Sequence, residues 1–182
     1  MRKKTFPSQQ FLPALLITLG LAATWSVPAL INQAVPTATQ DPASTLEVES
    51  ATATATFTPP QDWRVQHQTA ASGITLLDDD GSTIDVEVVS DVKDFDNSAR
   101  RKAAELDRAG IALAYDGEPI ETAKGLKGRS CYVFRASDQH GGECGFVEKD
   151  GEMVLVYNLA ADPNNAPDIQ PLIDSISIQK EA

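Results

Sequence analysis

Hydrophobic and polar positions divide the chain into an apolar N-terminal run, a polar middle segment and a region of alternating patterns. The run extends from Phe11 to Ile31, contains no charged side chain and follows the basic residues Arg2, Lys3 and Lys4. Its length is close to the roughly 20 residues that a helix needs to cross a bilayer. Because basic residues before such a run stay in the cytoplasm, the chain after residue 31 is predicted to lie outside.

Two fates remain open for this segment. Its length and the position of Trp25 near its outer end favour a retained single-pass anchor over residues 11–31, preceded by a cytoplasmic basic region over residues 1–10. The alternative is a cleaved signal peptide, with small-residue cleavage sites near Ala29 and Ala34. The first fate predicts a plasma-membrane protein with its C-terminal domain outside, and the second predicts a secreted protein.

Residues 32–59 are rich in Ala, Thr and Pro and contain few large apolar side chains. Such a composition buries too little apolar surface to offset the entropy lost on ordering. We therefore predict a disordered linker that tethers a folded domain over residues 60–180. The threonines also allow O-glycosylation, as in other Ser/Thr/Pro-rich stalks, and a plain solvated linker is the alternative.

Beyond the linker, period-two alternation predicts strands, since successive side chains on a strand point to opposite faces. The pattern is clearest at Ile84, Val86 and Val88, which alternate with acidic residues and predict one buried and one wet face. The predicted strands cover residues 73–77, 83–90, 130–136, 144–148 and 152–159. Helical spacing predicts a helix over residues 97–108 capped by Asn97, and a short helix from Pro167 followed by an edge strand.

This order of elements predicts an α+β domain, an antiparallel sheet covered by helices. Residues 153–157 are apolar on both faces, so their strand is expected in the middle of the sheet with cover on each side. The predicted strands over residues 144–148 and 152–159 are expected to be joined by a tight turn at Asp150 and Gly151.

Two segments of the domain resemble the PsbP-like α/β/α sandwiches. The opening Pro60-Gln61-Asp62-Trp63 is similar to the Pro-x-x-Trp entry of that family, and residues 169–178 are similar to its final helix and Ser-Ile strand. The group includes the LpqN-type lipoproteins of actinobacteria. The resemblance covers about residues 57–180 and implies an α/β/α sandwich that binds other molecules in the cell envelope without catalysis. This chain lacks the cysteine that carries the lipid in those lipoproteins.

The formal net charge of the chain is −11 at pH 7, and it falls on residues 61–182 because acidic and basic residues balance before them. An acidic surface repels phosphate backbones, which argues against nucleic acid as a partner and favours a monomer. Against this background Arg100, Arg101 and Lys102 crowd the start of the predicted helix, where the helix dipole disfavours positive charge. They are a candidate surface for an anionic partner, and an ordinary solvated helix face is the alternative.

The two cysteines, Cys131 and Cys144, lie in neighbouring predicted strands. Export to an oxidising compartment would allow a disulfide between them, and two buried thiols are the alternative. Their spacing excludes a redox centre of the Cys-x-x-Cys type.

No metal, cofactor or catalytic motif is predicted. Asp78, Asp80 and Glu87 match part of a calcium loop, but strands flank the segment, which favours a solvated hairpin turn. The two histidines, His67 and His140, are not at a metal-ligand spacing.

These patterns predict a membrane-anchored, non-catalytic binding or scaffold domain that recognises a protein, glycan or lipid of the bacterial envelope. One alternative is a carrier of an apolar or lipid ligand held between helix and sheet. A further alternative is an envelope hydrolase that uses His140 with Asp138 or Glu143.

Overall fold

A computed structural model describes residues 37–39, 44–66, 72–115 and 117–180. These residues belong to one compact unit that begins at Thr37. The strands are β1 (Thr37–Thr39), β2 (Leu46–Glu49), β3 (Ala53–Phe57), β4 (Arg64–Gln66), β5 (Gly73–Leu77), β6 (Thr83–Val89), β7 (Ile111–Ala114), β8 (Pro119–Glu121), β9 (Lys127–Arg135), β10 (His140–Lys149), β11 (Glu152–Leu159) and β12 (Ser177–Lys180). The helices are α1 (Phe95–Arg108), a 3-10 helix (Pro163–Asn165) and α2 (Gln170–Ser175).

Two antiparallel sheets organise the unit. The large sheet has the order β1-β4-β5-β6-β11-β10-β9-β7, with β8 also pairing with β9, and the small sheet has the order β12-β3-β2. Every residue of β11 is buried, which confirms the prediction of a central strand covered on both faces. The two-residue turn from β10 to β11 has positive φ at Asp150 (55°) and Gly151 (81°), as such a hairpin requires.

The large sheet lies between two apolar layers. Helix α1 covers one face, where Ala99 and Leu106 pack with Phe146, Met153 and Leu155. The small sheet and α2 cover the other face, as shown by this shared set of buried side chains: Phe57, Leu76, Ile84, Val86, Val154, Val156, Leu172 and Ile173. The predicted inward face of β6 is therefore confirmed at Ile84 and Val86.

The α/β/α sandwich expected from the resemblance is wrong. Among the described residues, strands make up 48% and helices 18%, with one helix of substantial length. The second face is covered chiefly by β-structure, because three strands outside the large sheet pair with each other rather than giving way to a long helix. The structure is a mostly antiparallel β-fold.

The prediction of a disordered linker over residues 32–59 is also wrong for its second half, because that half contains β2 and β3. In β3 the side chains of Ala53, Ala55 and Phe57 point into the core while the intervening threonines are half-buried. Alanines bury little surface each, although Ala53 and Ala55 are fully buried here. The Ala/Thr repeat is therefore a strand whose inward residues are too small to look like a core.

The predicted helices differ from the observed ones at their ends. Helix α1 begins at Phe95, and its cap is Asp94, whose Oδ1 accepts a hydrogen bond of 3.0 Å from the backbone N–H of Asn97. Helix α2 begins at Gln170, later than the predicted start at Pro167. The strand after it, β12, joins the small sheet by pairing with β3.

No helix among the described residues is long and apolar enough to cross a membrane. The predicted anchor over residues 11–31 and the basic region over residues 1–10 lie outside the described residues.

Candidate functional site

A disulfide joins β9 to β10 and confirms the sequence prediction. Cys131 and Cys144 lie directly opposite each other, with their Cα atoms 4.8 Å apart, and their sulfurs are bonded. Both side chains are buried beneath α1. The bond links β9 to β10, and these two strands also carry exposed aromatic and charged side chains.

Two aromatic side chains on β9 are left uncovered. Tyr132 is 58% exposed and Phe134 is 45% exposed, and they are the large hydrophobic residues that stand out as exposed in the described part of the chain. Two positions apart on a strand, they share one face of the sheet, opposite to the face that carries Cys131. This is the face covered elsewhere by the small sheet and α2, so the aromatic pair lies beyond the edge of that cover.

The aromatic pair forms one wall of a surface cavity of about 550 Å³, which we call the aromatic cleft. Residues of β10 supply its floor, and the segment around the 3-10 helix supplies its second wall. The lining residues are Tyr132, Val133, Phe134, Gly141, Gly142, Glu143, Pro163, Asn164, Ala166 and Asp168.

Gly141 explains how Phe134 sits in this wall. The two residues are directly opposite in the β9–β10 register. A Cβ atom at position 141 would lie 2.9 Å from the carbonyl oxygen of Val133 and 3.1 Å from Cδ2 of Phe134. The Phe134 ring therefore packs over a glycine, as aromatic residues do on sheets, and the remainder of its surface faces the cleft.

Hydrogen bonds hold the second wall in place. Asp162 Oδ1 accepts from the backbone N–H of Asn164 at 3.1 Å, and Asn158 Nδ2 donates to the carbonyl of Pro167 at 3.0 Å. Asp168 Oδ1 accepts from the backbone N–H of Gln170 at 2.8 Å. A wall fixed in this way needs little reordering when a ligand binds, which favours affinity.

The aromatic cleft is acidic. Its lining includes the carboxylates of Glu143 and Asp168, and none of the described residues that line it is Lys, Arg or His. Such a surface suits a neutral polar or a cationic ligand better than an anion.

The predicted basic cluster lies on α1, on the opposite side of the large sheet. Lys102 Nζ lies 2.5 Å from Glu87 Oε2 of the sheet and 3.2 Å from Glu105 Oε2 of the same helix, so its charge is already paired. Arg101 Nη2 donates to Ser98 Oγ at 3.0 Å, and both Arg100 and Arg101 are exposed. The anionic-partner surface stays a prediction, and its exposed charges are those of the two arginines.

A charged network closes the β9–β10 hairpin. Arg135 donates to both carboxylate oxygens of Asp138, at 3.0 and 2.7 Å. His140 Nδ1 lies 3.5 Å from Asp138 Oδ2 and 3.3 Å from Arg135 Nη2. The hydrogen bond from Arg135 lowers the pKa of the Asp138 carboxyl. Glu143, the other acid considered for His140, lies on the opposite face of β10 in the aromatic cleft.

The sequence did not predict the buried environment of the Asp85 carboxyl. Asp85 of β6 lies between Thr75 of β5 and Tyr157 of β11 in the strand register, and the Thr75 hydroxyl donates to its Oδ1. Burial raises the pKa of the Asp85 carboxyl to about 6, and burial followed by the charge of Asp85 raises the pKa of Tyr157. An acidic residue alternating with valines is typical of a wet strand face, so the pattern gave no sign of this environment.

The acidic turn that partly matches a calcium loop forms hydrogen bonds within itself. Asp80 Oδ1 accepts from the Ser82 N–H at 2.7 Å, Asp78 Oδ1 accepts from the Asp79 N–H at 2.7 Å, and Glu87 pairs with Lys102. Within the described ranges, no group of three or more His, Cys, Asp or Glu residues is placed to hold a metal ion. His67 lies outside those ranges.

Comparisons with known proteins give no match: no family model, no curated protein and no solved structure is similar to this chain. The resemblance to the PsbP-like group therefore stays a prediction from its few residues.

Proposed function

We propose that this chain is a binding domain of the bacterial cell envelope, held at the outer face of the membrane by its N-terminal segment, and that it binds its ligand in the aromatic cleft without catalysis. The observation that carries the proposal is the exposure of Tyr132 and Phe134 side by side above a glycine floor. The partner is a component of the envelope, which the location of the domain would bring within reach.

The energetics of exposed aromatic surface support this proposal. Covering apolar surface is worth about 25 cal/mol per Å², so two half-exposed rings represent a substantial unused driving force for association. Aromatic side chains with a polar rim are typical of binding surfaces, and Glu143, Asn164 and Asp168 provide such a rim.

The disulfide supports the proposed compartment. A bond between Cys131 and Cys144 persists in oxidising surroundings such as the outside of a bacterial cell, and reduced thiols are the rule in the cytoplasm. This agrees with the outward orientation that Arg2, Lys3 and Lys4 predict for the chain after residue 31.

The carrier alternative receives less support. Between α1 and the large sheet, where the carrier alternative places an apolar ligand, Phe146, Met153 and Leu155 are fully buried and packed together. A ligand there would have to displace core side chains, whereas the aromatic cleft is open at the surface.

A hydrolase remains the second candidate because Asp138 lies 3.5 Å from Nδ1 of His140, an arrangement that can orient a histidine base. Arg135 neutralises the same carboxylate and also approaches Nδ1, which weakens that role. Unchanged turnover of envelope substrates by a His140→Ala variant would remove the hydrolase.

Binding can be tested with the full chain, purified in a nonionic detergent and immobilised. An envelope extract would be passed over the wild type, over a Tyr132→Ala/Phe134→Ala variant, and over Arg108→Ala, which changes an exposed residue on α1. We expect the same envelope component to be retained by the wild type and by Arg108→Ala and to be lost by the double variant. Equal retention by all three proteins would overturn the proposed function.

A further inference from the structure

We propose that the occupant of the aromatic cleft is a basic peptide segment of a partner protein, whose lysine or arginine side chain lies between the aromatic rings and the carboxylates. This inference rests on the proposed function, since it names the chemistry of the ligand for the same cleft. It follows from how rings and charges are placed relative to each other.

The strand register places the aromatic ring of Tyr132 beside the carboxylate of Glu143. Tyr132 and Glu143 are directly opposite across β9 and β10, and both side chains are exposed. Directly opposed residues have their Cβ atoms only about 4.5–5.5 Å apart, so a single cation can contact the ring and the carboxylate together. The face of an aromatic ring carries negative potential and attracts ammonium and guanidinium groups.

The second wall of the aromatic cleft also carries negatively charged side chains. Asp168 lines the cleft opposite the aromatic pair, and Asp162 caps the 3-10 helix of that wall. None of the described lining residues supplies a positive charge that would neutralise these groups. The chain as a whole carries a net charge of −11, which would steer a basic partner toward it.

The dimensions favour a peptide over a small cation. The cavity of about 550 Å³ has room for several side chains, and one cationic group would fill only a part of it. Phe134 and Pro163 offer apolar contacts beside the charged point, where neighbouring residues of a peptide would pack. A groove with an aromatic wall and an adjoining carboxylate is suited to a short extended segment.

The test uses trilysine and its Nζ-acetylated form, which have the same backbone and length and differ in charge. Binding of each to the full chain in nonionic detergent would be measured by isothermal titration calorimetry. We expect trilysine to bind at least about tenfold more tightly than the acetylated peptide, with losses of roughly threefold for Tyr132→Leu and roughly threefold to tenfold for Glu143→Gln. Asp107→Asn removes an exposed carboxylate on α1 and should leave the affinity unchanged.

Two results would overturn the assignment of a cationic ligand. One is equal affinity for the charged and acetylated peptides. The other is a loss in Asp107→Asn as large as that in Glu143→Gln, since this would show attraction to the overall charge.

The failure of this inference can be told apart from failure of the proposed function. Equal affinity for trilysine and its acetylated form, together with Tyr132-dependent binding of a neutral trisaccharide such as maltotriose, would overturn the cationic ligand and leave the cleft as the binding site. If the envelope component described above is retained equally without Tyr132 and Phe134, the proposed function fails as well.

Discussion

Asp85 shows how a single residue can depart from its pattern. It alternates with Ile84 and Val86 as an exposed residue would, yet its carboxyl is desolvated between Thr75 and Tyr157. Alternation assigns a residue to one face of a strand, and it does not say what covers that face. Here the large sheet has cover on both sides, so Asp85, whose side chain lies on the face covered by α1, is also withdrawn from water.

This burial predicts a specific dependence of stability on pH. The pKa of Asp85 rises from 3.8 to about 6 in the folded protein, so the folded state binds more protons than the unfolded state between these values. The contribution of Asp85 to the free energy of unfolding therefore falls by up to about 3 kcal/mol as pH rises from about 4 to 6. Above about pH 6 this contribution no longer changes.

Urea unfolding of the wild type and of Asp85→Asn at pH 4, 5, 6 and 7 would measure this contribution. Asparagine keeps an oxygen to accept from Thr75 and does not titrate. We expect the variant to gain stability relative to the wild type as pH rises through this window. A difference between the two proteins that is the same at all four pH values would contradict the burial of a titrating carboxyl.

Some elements were predicted correctly and others were missed, and the reason lies in the side chains of each segment. The central position of β11 followed from its apolar residues on both faces, and this prediction is confirmed. The strand β3 was missed because Ala53 and Ala55 are too small to mark a buried face, although they are fully buried. The aromatic cleft was also missed: alternation places Tyr132 on a face of β9, but only the extent of the small sheet decides that this part of the face stays uncovered.

The start of α1 gives a prediction about capping. Asp94 accepts from the backbone N–H of Asn97 and from its side chain, at 3.0 and 2.7 Å. Asp94→Ala should lower the free energy of unfolding by about 1 kcal/mol, the usual cost of losing an N-cap. Asn97→Ala keeps the backbone N–H and should cost less. Urea unfolding of both variants measures the difference, and a larger loss in Asn97→Ala would assign the cap to the residue that the sequence first suggested.

The disulfide gives a second prediction for the β9–β10 pair. Reduction of the bond between Cys131 and Cys144, which are 13 positions apart, should destabilise the fold by about 3 kcal/mol in the chain-entropy account. The urea midpoint should fall when a reductant is added to the wild type. A Cys131→Ala/Cys144→Ala variant should start lower and show no response to reductant. A wild-type midpoint that reductant does not change would mean that the bond adds no stability.

At the scale of the whole molecule, the fold is a large antiparallel sheet with α1 on one side and a small sheet with α2 on the other. The sequence predicted the antiparallel sheet and one of its covers. It included the short C-terminal helix but failed on the rest of the second cover, since β2 and β3 fall in the predicted linker and β12 was predicted as an edge strand of the main sheet. The uncovered end of the second face is where the proposed binding site lies.

The proposed location predicts how the full chain behaves in cell fractionation. A single-pass anchor over residues 11–31 should keep the chain in the membrane pellet after washing with high salt and alkaline carbonate. Protease added to intact spheroplasts should digest the domain. Recovery of the chain in the salt-soluble fraction of the cytoplasm, with Cys131 and Cys144 reduced, would contradict this location.

The most direct test of the binding site is photo-crosslinking in the cells that express the chain. The photoreactive amino acid p-benzoylphenylalanine would replace Tyr132 in one variant and Arg108, exposed on α1, in another. The account predicts a discrete crosslinked adduct from position 132 that is absent from position 108 and disappears when Glu143→Gln is combined with Phe134→Ala. The same adducts from both positions, or an adduct at 132 unaffected by those changes, would contradict the assignment of the aromatic cleft as the binding site.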